Sequence, residues 1–385
     1  MTKILYILSN TNRDGCTLSF MTMLRGVLAE GYEAVVVIPD GRPEFCQEMQ
    51  NLQVRHYVVP MAFNCWPTFF GLKRLLGYPV VLLREQVEQR KTRHLLEQIM
   101  QMEHPDIVHT NVGPLDVGHY ASKKCGIPHV WHIREYGDLD FNLHLFPSKR
   151  VFRHKLEADY TICITQNLQL YNQLDGCSRS HVIYNGVRSQ RETCYCPEKQ
   201  KFFLMASRVS EEKGHERMLR IFSRFCQMCP DYSLVILGEG YDYYIERCKN
   251  LVGQLGIDKH VLFEGYKKDV DCYLRVATAL LVASPSEGFG RMTAEAAFDG
   301  CVVIGYDAAG TKEILEETGG YLWNSDDECL VAMKKVAALS SQEYKEQALL
   351  AQQRAQRLYS VETYIDSVLN VYKNIVNSNA NRQNL

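Results

Sequence analysis

Apolar and polar positions fall in blocks along this chain. Residues 4–8 read Ile-Leu-Tyr-Ile-Leu without a polar break, and short runs of the same kind recur at intervals. Uninterrupted apolar runs of this length predict strands buried on both faces, as in parallel sheets. They place strands at 3–8, 34–38, within 104–111, 127–135, 159–165 and 181–187. A second series follows at 201–206, 233–237, 261–266, 279–282, 302–305 and 319–322. Between them lie amphipathic or charged stretches that predict helices, ending near residue 30 ahead of Gly31, then at 84–103, 115–125, up to about 229, at 291–298 and at 361–376. Strands alternating with helices predict βαβ units.

The second series repeats the plan of the first without repeating its sequence. Two domains follow: residues 1–187, then a polar linker at 188–200, then residues 201–360. The polar tail at 377–385 is expected to fray. A length of 385 residues suits this division, and 46% hydrophobic with 23% charged residues is ordinary for globular cores. The first apolar run is too short for a signal peptide and reads as a first strand. No run of 18 apolar residues exists, so no membrane-spanning helix is expected. A net charge of −2 argues against nucleic acid as a partner. Fourteen cysteines are scattered, and the CxxC at Cys226 and Cys229 has no second pair at zinc-site spacing. Free thiols in a reducing cytoplasm account for them.

The chemistry concentrates after the strand at 279–282. Ser284-Pro285-Ser286-Glu287-Gly288-Phe289-Gly290 is a loop whose glycines permit close backbone approach to a ligand, and a helix begins near Arg291. A loop opening a helix after a buried strand aims N–H groups and a positive dipole end at an anion. Glu287 and Glu295 flank that helix start, and carboxylates suit sugar hydroxyls. Glutamates near a helix start also serve simply as dipole partners. The loop at 207–214 carries Arg208, a planar fork, and Lys213, a compact charge. Strand ends at Asn111 and at His132, Arg134 and Glu135 are further candidates, because open α/β sheets bind ligands at the carboxyl ends of their strands. His109 and His129 are the alternatives to His132. The Asp-x-Asp tripeptides at 138–140 and 269–271 are common by chance and read as incidental.

Glu287-Gly288-Phe289-Gly290 followed by Glu295, with seven residues between the glutamates, resembles the signature of retaining glycosyltransferases of family 4. The resemblance implies the GT-B fold, an α/β architecture of two Rossmann-like parallel-sheet domains facing a central cleft. It also implies a C-terminal helix, about 361–385, crossing back to the first domain, and a hinge at Asn185-Gly186-Val187. It implies that Arg208 and Lys213 grip a donor diphosphate and that Glu295 holds ribose. It further implies that Glu287 positions the sugar and that His132 lies by the transferred sugar. Gly238, Gly265 and Tyr266 resemble the family's turns beside the nucleotide, and Gly288, Phe289 and Gly290 complete the donor loop. The first loop departs from the family pattern, which has paired glycines; here Gly15 is followed by Cys16.

The function so implied is metal-independent, retaining sugar transfer from a nucleotide diphosphate sugar, with UDP favoured, and no cofactor. The expected acceptor is a glycan or a lipid-linked saccharide in surface polysaccharide synthesis, resembling bacterial enzymes of that kind. Asn111, His132, Arg134 and Glu135 stand on the acceptor side. A segment at 66–76, rich in aromatic residues beside Lys73 and Arg74, and a basic cluster at 149–155, suggest peripheral contact with the cytoplasmic face of a membrane or, equally, a covered core and a solvated face. Three rivals remain: an epimerase of the same fold, a glycan phosphorylase, and a nucleotide-sugar-binding protein without catalysis.

Overall fold

The computed structural model describes residues 1–12, 14–66 and 78–383. The aromatic-basic segment at 66–76 lies, beyond Trp66, outside the described residues. The chain divides into two compact units, Met1–Gly186 with Val361–Leu385, and Val187–Ser360.

The first unit is built on β1 (Lys3–Ile7), β2 (Glu33–Ile38), β3 (Arg55–Val58), β5 (Ile107–Thr110), β6 (His129–Ile133), β8 (Tyr160–Cys163) and β9 (Ser180–Val182). They form one parallel sheet in the order β3-β2-β1-β5-β6-β8-β9. A two-stranded antiparallel ribbon, β4 (Cys65–Trp66) with β7 (His144–Leu145), stands apart. Both faces of the central strands are covered, which is why β1 and β2 carry unbroken apolar runs at 4–7 and 34–38. On one face Ile4, Tyr6 and Val36 pack with Phe20 and Leu24 of the Gly15–Ala29 helix and with Tyr364, Val368 and Tyr372 of the Val361–Gln383 helix. On the other, Leu5, Ile7 and Val108 pack with Leu96 and Ile99 of the Tyr78–Glu103 helix and with Ala121. Gly26 is what lets the last helix close on the first: a Cβ there would stand 2.4 Å from Ile365 Cγ1. The last helix runs past the apolar repeat to Gln383, beyond the expected end at 376.

The second unit holds β10 (Phe202–Ala206), β11 (Ser233–Leu237), β12 (Val261–Gly265), β13 (Ala279–Val282), β14 (Val303–Tyr306) and β15 (Tyr321–Trp323), parallel, in the order β12-β11-β10-β13-β14-β15. The stretch at 188–200 is irregular but fastened to this unit. Arg188 pairs with Asp271 and lies 3.5 Å from Asp299, Cys194 N–H donates to Phe298 O at 3.2 Å, and Lys199 Nζ donates to Arg275 O at 2.6 Å.

In each unit the chain runs from a central strand to one side and then crosses to the other. The crossings lie between β1 and β5 and between β10 and β13. The crevice at the carboxyl ends of such a pair is where open sheets take ligands. Every cysteine carries a free thiol. Among the described residues no helix is long and apolar enough to cross a membrane.

Candidate active site

In the second unit the loops after β10 and β13 meet at the switch point, and glycines make the meeting possible. Gly214 sits at φ +72°, and a Cβ on it would lie 2.8 Å from Ala283 O, so the two loops touch there. Gly238, at φ +133°, lies under the Arg208 loop; a Cβ would stand 1.9 Å from Ser207 O. Its N–H donates to Gly265 O at 2.8 Å, which joins the turns carrying Gly238, Gly265 and the exposed Tyr266.

These constraints bring together the residues singled out in the sequence. Lys213 Nζ lies 2.5 Å from Glu287 Oε1, each side chain about a fifth exposed (21% and 22%). Arg208 extends outward at 60% exposure and pairs with Glu212 at 2.6 Å. Glu295 is held by Arg291 at 2.8 Å, one helical turn earlier in the Arg291–Phe298 helix. Gly290, at φ +88°, caps that helix, and Phe289 is buried against Tyr359. Arg208, Lys213, Ser284, Glu287, Gly290 and Thr293 line a cavity of about 210 Å³. The buried hydroxyls of Ser284 and Thr293 have no hydrogen-bond partner among the described residues. The cavity, which Arg291 also lines, thus offers three cations, the Glu287 carboxylate and open hydroxyls around a helix start, which suits a ligand with a diphosphate and several hydroxyls.

Two further residues support the donor loop and its helix. Arg291 was legible as the i,i+4 partner of Glu295. Gly310 belongs to a small-residue loop at 307–314 that resembles the family's loop near the sugar; its N–H donates to Glu287 O at 2.8 Å, and a Cβ would stand 2.2 Å from Phe289 O, so it braces the donor loop.

In the first unit the switch point is occupied by a buried polar network. Arg134 Nε donates to Asn111 Oδ1 at 3.0 Å, Nη1 to Asn185 Oδ1 at 2.8 Å and Nη2 to the Tyr364 hydroxyl at 3.2 Å. Asn111 Nδ2 reaches Cys16 Sγ at 3.4 Å, and Gly15, the first residue of its helix, has open space around it. His132 is fully buried; its Nδ1 lies 3.1 Å from His109 Nε2, and His109 Nδ1 lies 2.6 Å from the Tyr372 hydroxyl. Burial, and then the charge of Arg134, push both imidazoles well below the ordinary histidine value, so both are neutral near pH 7. His132 Nε2 has no hydrogen-bond partner among the described residues. Glu135 follows β6 at the sheet edge. Its carboxyl is pushed up to about 7, chiefly by burial and further by Asp140 and Asp14, against the pull of Arg134.

His129 belongs to a separate cluster at the amino end of the sheet. Asp159 Oδ2 accepts from His119 Nδ1 and His129 Nδ1, both at 2.7 Å, and from Trp131 Nε1 at 2.9 Å. Three N–H donors converging on one oxygen make a hydrogen-bonded network; the N···O spacings are shorter than neighbouring ligands of one metal ion adopt. The basic cluster at 149–155 is largely neutralised: Lys149 by Asp138 at 2.5 Å, Arg153 by Glu157 at 2.8 Å and the buried Lys155 by Asp116 at 2.5 Å. Asp138 and Asp271, one from each Asp-x-Asp tripeptide, are thereby taken up in ion pairs.

Residues 14–191 match the family described as Glycosyltransferase Family 4, and residues 189–355 match Glycosyl transferases group 1. The chain belongs to these glycosyltransferases. Among curated relatives, an uncharacterized glycosyltransferase of Methanocaldococcus jannaschii is 26% identical over 226 residues, 57% of this chain and 61% of that one. The N-acetylgalactosamine-N,N'-diacetylbacillosaminyl-diphospho-undecaprenol 4-alpha-N-acetylgalactosaminyltransferase of Campylobacter jejuni is 29% identical over 132 residues, 34% of this chain and 35% of that one. The match therefore spans less than two thirds of these relatives' length. The glycosyltransferase shares its fold with Anabaena HepE, solved in complex with UDP (TM-score 0.76, 18% identity, 97% of this chain and 100% of that one). It shares it also with a glycosyltransferase of Rickettsia africae (TM-score 0.77, 15% identity, 97% and 99%). Its two parallel-sheet units are those of the GT-B fold.

Proposed function

We propose that this glycosyltransferase moves a sugar from a nucleotide diphosphate sugar, UDP favoured, to a glycan or lipid-linked acceptor in surface polysaccharide synthesis, with retention at the anomeric carbon. The observation that carries the reading is the convergence of Arg208, Lys213 and Glu287 on one switch-point cavity, with Glu295 on the helix whose first turn lines it, paired there to Arg291. The UDP and UDP-glucose complexes of HepE support a UDP donor, and the undecaprenol-linked substrate in the name of the Campylobacter relative supports a lipid-linked acceptor. Arg208 and Lys213 offset the charge that develops on the departing diphosphate, a task that in this arrangement calls for no metal. Glu295 holds the ribose hydroxyls, and Glu287 fixes the sugar's hydroxyls once Lys213 turns to phosphate. Glu135 serves the acceptor directly, and Asn111, His132 and Arg134 form the buried network that supports its strand end. Front-face displacement requires no protein nucleophile, but the acceptor's proton needs somewhere to go. The work is done at the cytoplasmic face, where nucleotide sugars and a lipid-linked acceptor meet.

The test is calorimetric binding of UDP, GDP and ADP, with a chelator present, to the wild type and to Arg208→Ala. One nucleotide bound tightly and weakened by the substitution supports the reading. No binding of any of them removes it.

A further inference from the structure

The carboxyl edge of the first sheet carries several carboxylates, and the protein engages nearly all of them. Asp14 Oδ1 accepts from Thr17 N–H at 2.8 Å, Asp40 from the Thr11 hydroxyl, Asp138 from Lys149 and Tyr171, and Asp140 Oδ2 from Tyr136 N–H at 2.8 Å. Glu135 differs. Among the described residues it has neither a hydrogen-bond nor an ion-pair partner, although it is half-buried. Even Arg134, its neighbour in sequence, turns away to Asn111, Asn185 and Tyr364. Withdrawing a carboxylate from water without giving it a partner is unfavourable, and such a group is usually kept for a ligand. The position fits: Glu135 directly follows the carboxyl end of β6, beside the β1–β5 switch point.

We propose that Glu135 is the base that takes the proton from the acceptor's attacking hydroxyl. This rests on the glycosyltransferase reading and supplies the group that reading leaves unassigned. The acceptor O–H bond breaks and its proton passes to a Glu135 carboxylate oxygen. The freed electron pair forms the new bond to the anomeric carbon. The bond from that carbon to the diphosphate breaks, and its electron pair leaves with the nucleotide. Glu135 then returns the proton to water. The surroundings tune the group for this. Burial, Asp140 and Asp14 raise its carboxyl to about 7 while Arg134 opposes them, and a base works best when its pKa lies near the working pH. The other ionisable groups of this edge are poorly suited: His109 and His132 are enclosed, and the Cys16 thiol is pushed up to about 12.

The experiment follows UDP release from UDP-glucose with water, ethanol or trifluoroethanol as surrogate acceptors, from about pH 5 to 9, in the wild type, Glu135→Gln and Glu135→Asp. UDP binding is measured beside it by calorimetry. The wild-type rate should rise with pH to a plateau above about 7, as the base form fills. Glu135→Gln should lose about a hundredfold or more in kcat together with that pH dependence, with UDP affinity unchanged. Its deficit should shrink with trifluoroethanol, whose proton is more acidic, and Glu135→Asp should recover part of the rate. An unchanged rate and pH profile in Glu135→Gln overturns the proposal and leaves the departing phosphate as proton acceptor. A raised KM at constant kcat also overturns it, in favour of an acceptor contact alone. Water is present in every arm, so a wild type that binds UDP but never turns over counts against it too. Failure to bind UDP at all is a failure of the donor reading, and the calorimetry shows it separately.

Discussion

Lys213 closes onto Glu287 at 2.5 Å, joining the loop after β10 to the loop after β13. The cation expected to meet phosphate and the carboxylate expected to meet sugar satisfy each other. The two residues are therefore coupled. Removing the carboxylate frees the cation, whereas removing the cation leaves a partly buried carboxylate alone.

The single variants should then behave oppositely toward nucleotide. Glu287→Gln should bind UDP as tightly as the wild type or more tightly while losing about a hundredfold or more in transfer. Lys213→Ala should weaken UDP by about tenfold or more, as expected for loss of a charge-assisted contact. Calorimetry with UDP on both variants checks this; equal weakening in both would show that Glu287 contacts the diphosphate side instead.

Gly310 braces the same loop. A methyl group there would stand 2.2 Å from Phe289 O, and the rigid backbone on both sides leaves the loop little room to yield. Gly310→Ala should displace Glu287 and lower UDP affinity although residue 310 is not among those lining the cavity. A protein that stays folded by circular dichroism but binds UDP at least about tenfold more weakly is the expected result.

Asp159 governs acid stability in the first unit. Its three N–H donors outweigh its burial and hold its carboxyl at about 2, below the ordinary 3.8. A depressed carboxyl contributes stability that is fully present above about pH 4 and is lost as pH falls toward 2, here about 2 kcal/mol at neutral pH. Asp159→Asn should melt several degrees below the wild type at pH 7, and the gap should close as pH falls toward 2. Thermal melts at pH 7 and 3 measure it.

Glu135 has the reverse sign. Its carboxyl lies near 7 in the folded chain, above the ordinary 4.5, so its ionisation favours the unfolded chain and stability falls as pH rises from about 4.5 to 7. Glu135→Gln should match the wild type near pH 4.5 and melt at a higher temperature at pH 8. A variant more stable and less active is the mark of a group strained for function.

The fold was legible because buried parallel strands leave uninterrupted apolar runs. The runs at 233–237 and 279–282 coincide with β11 and β13, and the helix expected at 291–298 is the Arg291–Phe298 helix. Where a strand is half-exposed the signal faded. Arg55–Val58, with no fully buried position, and the Pro43–Asn51 helix before it went unread. In the site, charged side chains at fixed spacing marked Arg208, Lys213, Glu287 and Glu295, because charge chemistry is local to its residue. Gly310 was legible only as part of a small-residue loop at 307–314; that it braces a segment some twenty residues away in sequence was not, because being small leaves no mark of the partner. His132 was legible as a strand-end histidine, but not its enclosure against His109, which comes from the last helix through Tyr372.

That last helix has a consequence for how the chain is made. Tyr364, Val368 and Tyr372 complete a core whose other half, around Phe20 and Leu24, leaves the ribosome first. The whole second unit, Val187–Ser360, is synthesised in between. At ordinary translation rates the first sheet therefore waits on the order of ten to thirty seconds with one apolar face only partly covered, by the Gly15–Ala29 helix. The second unit, continuous in sequence, meets no such delay. The part of the chain begun first is the part finished last, and during that interval a chaperone has its clearest opportunity to bind.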